Sequence, residues 1–168
     1  LHALECSHHE LVSPSLFLIF NILKNTSEIV ERIYSEEFVS TLNSMLFDSD
    51  PNVISPTIDI IIFLIMNDYD VTCIDVKNLV SLFLHSNTDA SSKAFEIITE
   101  MVKKYTDIVE ILYKEGLIEI LKICFKSSNA QGKVNAAKLL FRLFANTTGK
   151  YLRRLIREGM FQVIFEWA

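Results

Sequence analysis

The sequence predicts an all-α protein: a stack of about four three-helix repeats, with incomplete units at both ends. Two observations carry that prediction. Glycine and proline together supply only seven of 168 residues, too few for a β-sandwich or barrel, which turns about every 8 to 12 residues. The chain also matches itself: EIVERIYSEEFVSTL at 28–42 aligns without a gap on DIVEILYKEGLIEIL at 107–121. A further copy, KYLRRLIREGMFQVI, lies at 150–164, and a shortened one, DVTCIDVKNLVSLFL, at 70–84. The segments SPSLFLIFNIL, SPTIDIIIFLI, SKAFEIITEMV and VNAAKLLFRLF align as well, making Pro14, Pro56, Lys93 and Asn135 equivalent at spacings of 42, 37 and 42. A period near 40 denotes stacked helical units, none of which can bury its apolar face alone. The whole of 1–168 is therefore read as one domain, with units at roughly 1–26 (partial), 27–67, 68–105, 106–147 and 148–168 (partial).

The elements follow in order. A third helix opens near Ser13, with Ser13 as N-cap and Pro14 at the first helical position, where a missing N–H costs nothing. The copy at 28–42 supplies the first and second helices of the next unit. Asp50-Pro51 is a start signal, so a short turn is expected at 51–54 and a break or kink near Pro56, with Ser55-Pro56 opening the third helix proper. The apolar run Val53 to Met66 has fourteen residues, short of the ~20 that a spanning helix needs. Its β-branched stretch, Ile58 to Ile65, leaves a buried strand as a rival that periodicity alone does not remove; the repeats do. In the 106–147 unit, Thr106 is expected to cap a first helix ending at Lys114, and Gly116 to punctuate it. Leu117, Ile120, Leu121 and Cys124 then form one stripe of a second helix, 117–126. The loop SSNAQG precedes a third helix at about 133–145, whose buried face is Ala136, Leu139, Leu140 and Leu143. The chain closes on a second helix ending at Trp167, leaving Met160, Phe161, Ile164 and Trp167 partly uncovered, because a terminal repeat normally needs a polar cap. The protein is accordingly read as a fragment of a longer solenoid, or as one that self-associates through this C-terminal face.

The junction Lys114-Glu115-Gly116-Leu117-Ile118 with Leu121, followed by Val134, Ala136, Leu139, Leu140 and Leu143, resembles the armadillo repeat, and Arg157-Glu158-Gly159-Met160 repeats the junction. The resemblance covers nearly the whole chain and implies a right-handed α-α superhelix in which third helices line a groove that holds an extended partner segment. The family's best-known ladder places Trp and Asn four residues apart on successive third helices. The matching pairs are Phe17 with Asn21, Asp59 with Phe63, Glu96 with Glu100, and Lys138 with Arg142. Only Asn21 keeps the family's residue, which argues against binding of nuclear-import signals. The candidate groove residues are therefore Asn21, Asp59, Phe63, Glu96, Glu100, Lys138 and Arg142.

Charge replaces the ladder. Residues 1–84 hold 3 basic and 12 acidic side chains, net −9, and residues 85–168 hold 13 and 9, net +4. Between Glu119 and Glu158 there is no acid and there are nine cations. Lys133, Lys150, Arg153, Arg154 and Arg157 form a candidate basic patch, able to attract acidic peptides, phosphates or anionic lipid. A solvated surface is the plain alternative. Nucleic acid is disfavoured, since single-strand recognition wants aromatic platforms between the cations and only Tyr151 and Phe141 are near.

Little here points to catalysis. The densest ligand-type cluster, His2, Glu5, Cys6, His8 and His9, lies at the terminus, whereas a structural zinc site needs about four ligands held in fixed geometry, and no nucleophile motif or glycine-rich phosphate loop is present. No metal or cofactor is expected. Three well-separated cysteines without a CxxC suit a reducing compartment, cytoplasmic or nuclear. Ser13 and Ser55 precede proline and so suit proline-directed phosphorylation, the weaker reading of residues expected to cap helices. The function expected is a non-enzymatic interaction scaffold for a protein or peptide. The alternatives are a structural segment without its own ligand, and a basic patch for anionic lipid or nucleic acid.

Overall fold

A computed structural model of the chain describes residues 9–105, 107–146 and 149–167. Among them are eleven α-helices, one 3-10 turn and no strand. The chain divides into two compact units, Leu1–Asp75 and Val76–Ala168.

In the first unit the helices are α1 (His9–Asn25), α2 (Ser27–Ile33), α3 (Glu36–Met45) and α4 (Pro51–Met66). Ser35 starts α3 by accepting the Phe38 N–H at 3.1 Å, and Asp50 starts α4 by accepting the Asn52 N–H at 2.8 Å; each satisfies a donor that the helix itself leaves over. α4 packs against both α1 and α3. It is buried on most of its circumference, through Val53, Ile54, Pro56, Thr57, Ile58, Ile60, Ile61, Leu64 and Ile65. This explains why its sequence mimics a membrane segment or buried strand: it is a core helix, and among the described residues no helix is long and apolar enough to cross a membrane. Asp68, in the left-handed region at φ 65°, ends α4. Its N–H reaches the Ile65 carbonyl and the Tyr69 N–H the Leu64 carbonyl, the paired bonds of a Schellman stop.

Both proline expectations are corrected. Residues 51–66 form one continuous helix, without a separate turn at 51–54 or a break at Pro56, and Ser55 lies inside it. Asp50-Pro51 takes the starting role instead. Pro56 then removes only the hydrogen bond to the Asn52 carbonyl, on an exposed residue that water can serve, while burial of the flanking isoleucines holds the helix together. Likewise α1 already includes His9, so Pro14 is internal and Ser13 does not cap.

The second unit contains α5 (Val76–Ser81), a 3-10 turn at Leu82–Leu84, then α6 (Thr88–Lys104), α7 (Ile108–Lys114), α8 (Leu117–Lys126), α9 (Ala130–Asn146), α10 (Gly149–Arg157) and α11 (Met160–Trp167). The shortened repeat is short because residues 71–75 form turns where other repeats have a first helix. Gly116 and Gly159, at φ 79° and 76°, form the two tight first-to-second helix junctions, in a conformation that a Cβ would strain. α9 begins three residues before the expected Lys133 because Asn129 caps it, accepting the Gly132 N–H at 3.0 Å. The expected cap Thr106 lies outside the described residues. Ala136, Leu139, Leu140 and Leu143 are buried as expected, and α9 packs on α6 and α8. Met160 is a correction: it is fully buried, since it points from the glycine junction into the contact between α11 and α8 and α10. Phe161 is partly exposed and Ile164 half-buried, as expected; the Trp167 side chain is outside the described set.

One linkage recurs between first helices and the segments that follow one repeat later. The Tyr34 hydroxyl donates to the Asp70 carbonyl at 2.8 Å with its ring 4.8 Å from Tyr69. Its repeat equivalent, Tyr113, donates to the Tyr151 carbonyl at 3.2 Å with the rings stacked at 5.5 Å.

Candidate functional site

The third helices of the second unit, α6 and α9, frame a depression of about 510 Å³ lined by Asp89, Ser92, Lys93, Phe95, Glu96, Thr99, Asn135 and Lys138. Its walls follow from how the helices start and meet. Asn87 caps α6 by accepting the Asp89 and Ala90 N–H groups at 2.9 and 3.1 Å. The Asn135 side chain, nearly buried, donates to Ser92 Oγ at 3.0 Å and accepts from Gln131 at 2.9 Å, tying α9 to α6 on the floor of the depression. Phe95, buried and stacked on Phe83 at 3.7 Å, makes that floor rigid and apolar. The exposed rim carries both signs: Glu96 on α6 and Lys138 on α9, with Lys93 paired to Asp89 at 3.4 Å. A concave, partly apolar surface with a few directed polar groups can hold a side chain and orient a main chain.

The structure thus brings together Glu96 and Lys138 of the candidate groove residues. Glu100 is half-buried and forms an ion pair with Lys103 on its own helix, while Arg142 is exposed on the same helix as Lys138. In the first unit, Asn21 is exposed on α1, but its amide turns back to the Phe17 carbonyl at 2.9 Å; Asp59 and Phe63 are half-buried on α4. Sequence reasoning missed Asp89, Ser92, Phe95 and Thr99, and took Lys93 and Asn135 only as equivalent alignment positions, not as lining residues. The repeat alignment held a signal for Ser92, which directly precedes Lys93, the residue equivalent to Asn135.

The basic patch divides. Lys150, Arg153, Arg154 and Arg157, with Glu158, line one open depression of about 410 Å³. Lys133 lines another of about 250 Å³ with Phe125, Lys126, Val163 and Glu166. At the first, the Arg154 guanidinium lies 4.7 Å from the Tyr113 ring centre and 3.8 Å from Glu158. The Tyr151 hydroxyl donates to Glu110 at 3.0 Å. That bond, reinforced by Lys114 and Lys150, holds the Glu110 carboxyl below the usual range, and the same bond raises the Tyr151 phenol. Burial pushes Tyr113 up to about 12.

For chemistry the described residues offer little. No group of three His, Cys, Asp or Glu side chains among them could hold a metal; His2, Glu5, Cys6 and His8, and the His9 side chain, lie outside the described set. Burial pushes the Cys124 thiol up to about 11, so it stays protonated at neutral pH and is a poor nucleophile.

No protein-family model matches the chain, and no curated protein matches it either. Solved structures do. A designed armadillo repeat protein superposes with a TM-score of 0.79 at 16% identity, covering 98% of this chain and 71% of its own. Another, in complex with the peptide (KR)4, gives 0.79 at 15% identity, covering 97% and 70%. Computationally designed armadillo repeat proteins for modular peptide recognition give 0.80 at 15%, covering 98% and 71%. The fold is therefore an armadillo-like helical repeat solenoid.

Proposed function

We propose that the protein is a non-enzymatic interaction scaffold whose third helices hold an extended polypeptide segment, with the α6–α9 depression as a principal contact. The observation that carries this reading is the depression itself, with its rigid Phe95 floor, its Asn135–Ser92 bridge and the opposite charges of Glu96 and Lys138 on its rim. An apolar floor takes one partner side chain, while the two rim charges fix the direction in which the segment lies. Glu100 and Arg142 extend the rim along α6 and α9. On α1 and α4, the positions Asn21, Asp59 and Phe63 are the first unit's counterpart. Support comes from the fold's likeness to designed armadillo proteins, one of which carries a bound peptide. A reducing compartment, cytoplasmic or nuclear, suits Cys73 and Cys124, both unpaired. Self-association through α11, where Phe165 is 78% exposed, is a separate proposal that concentration-dependent sedimentation tests.

To test the scaffold reading, a display library of unstructured peptides is selected against the chain, and the winners are measured against Glu96→Lys and the pair Lys138→Glu with Arg142→Glu. Each change should weaken binding about tenfold or more, as expected for truncating or reversing charges that touch a partner. Unchanged affinity in both variants would remove the α6–α9 groove as the site; failure to select any saturable peptide would favour a purely structural segment.

A further inference from the structure

The cations of α10 are not scattered. At about 100° per residue, Lys150, Arg153, Arg154 and Arg157 occupy an arc of about 100° and rise about 10 Å along the helix. All four are exposed, and Leu155, on the opposite side of α10, is buried. The helix therefore turns a continuous cationic face to solvent. Parts of that face are fixed in place. Arg154 lies over Tyr113, whose ring stacks on Tyr151, which is in turn bonded to Glu110; Arg153 Nε donates to the Gly149 carbonyl at 3.1 Å.

The lining of the depression selects among anions. Apart from Glu158 it presents N–H donors only. An extended polypeptide brings main-chain donors as well as acceptors and would find almost nothing there to accept them. Phosphate groups bring acceptors alone. A single-stranded nucleic acid would also want a ring to stack on between the cations, yet the rings that touch these cations, Tyr113 and Tyr151, are stacked on each other and lie under Arg154 and Lys150. Beside the cations an exposed apolar group is available: Ile156, 53% exposed and about 60° round the helix from Arg153. A cationic helix face flanked by an exposed large apolar side chain is the combination that binds a lipid–water interface.

From these observations we propose that the outward face of α10 docks on a membrane surface bearing anionic phospholipids, with Lys150, Arg153, Arg154 and Arg157 on the phosphates and Ile156 entering the interface. This surface is separate from the α6–α9 depression and does not rest on it. The test is co-sedimentation of the whole chain with vesicles of phosphatidylcholine alone and of phosphatidylcholine with phosphatidylserine. Binding is expected only to the second, falling steeply as salt is raised. The double variant Arg153→Glu, Arg157→Glu should weaken it at least about tenfold. Lys126→Glu with Lys133→Glu, which changes the net charge equally but lies in the other depression, should leave it intact. Far-UV circular dichroism confirms that both variants stay helical. Equal binding to neutral vesicles, no binding to either, equal losses in the two variants, or binding to an oligonucleotide or phosphopeptide without binding to vesicles would each overturn the proposal.

Discussion

The third helices of the two units occupy the same slot of the repeat and do different things with it. α4 begins at Asp50-Pro51, carries Pro56 within it, and is packed so fully that Asp59 and Phe63 are half-buried. α6 and α9 begin at asparagine caps, bury about one side each, and leave Glu96 and Lys138 facing outward at a polar-rimmed depression, with Arg142 exposed further along α9. The same slot of the repeat is thus enclosed on most sides in α4 and left open on one side in α6 and α9. What decides between them is how many sides of the helix are apolar, a quantity legible in the residues at every turn.

Core truncation gives the largest expected effect and tests what the two units share. Leu64→Ala in α4 and Leu139→Ala in α9, both fully buried, should each cost about 2–5 kcal/mol in urea unfolding. A loss under about 1 kcal/mol at Leu139 would mean that α9 is not seated as described.

The difference between the units is tested four residues beyond Asp59 and Lys138. Phe63→Ala should cost about 1–3 kcal/mol because half of a large ring leaves an apolar setting. Arg142→Ala, at the equivalent slot, should stay within about 0.5 kcal/mol. Equal losses would break the contrast between core and surface.

Much of this was readable beforehand. The glycine junctions, the span of α8 and the buried stripe of α9 follow from periodicity and from the self-match, because both record burial. The start of α4 was misjudged because Ser-Pro carries the same local start signal whether or not Asp-Pro, five residues earlier, has already started the helix. The depression was only half legible. Glu96 and Lys138 came from aligning third helices, but Ser92 and Thr99 act through the α6–α9 contact, which no one-dimensional pattern records. The tyrosine linkages were hidden for the same reason: Tyr34 and Tyr113 align, yet their acceptors are backbone carbonyls, to which any residue contributes.

Those linkages supply a smaller prediction. Tyr113→Phe removes the bond to the Tyr151 carbonyl and should cost about 1 kcal/mol. It should also alter the alkaline limb. The Tyr113 phenol is raised from 10.0 to about 12 in the folded protein, so its contribution is complete below the unfolded value and is lost as pH rises from about 10 through 12. Stability measured across that window should therefore fall less steeply in the phenylalanine variant. Asn87→Ala, which deletes the α6 cap, should cost about 0.5–2 kcal/mol, and a null result would show that Thr88 and Asp89 start the helix unaided.

The proposed binding surface lies between α6 and α9. Titrating a selected peptide into isotopically labelled protein and following backbone amide shifts tests it most directly. Saturable perturbations concentrated at residues 89–99 and 135–142, reduced by Lys138→Glu, are expected. Perturbations confined to α7, α8 and α10, with residues 89–99 and 135–142 unmoved, would contradict it.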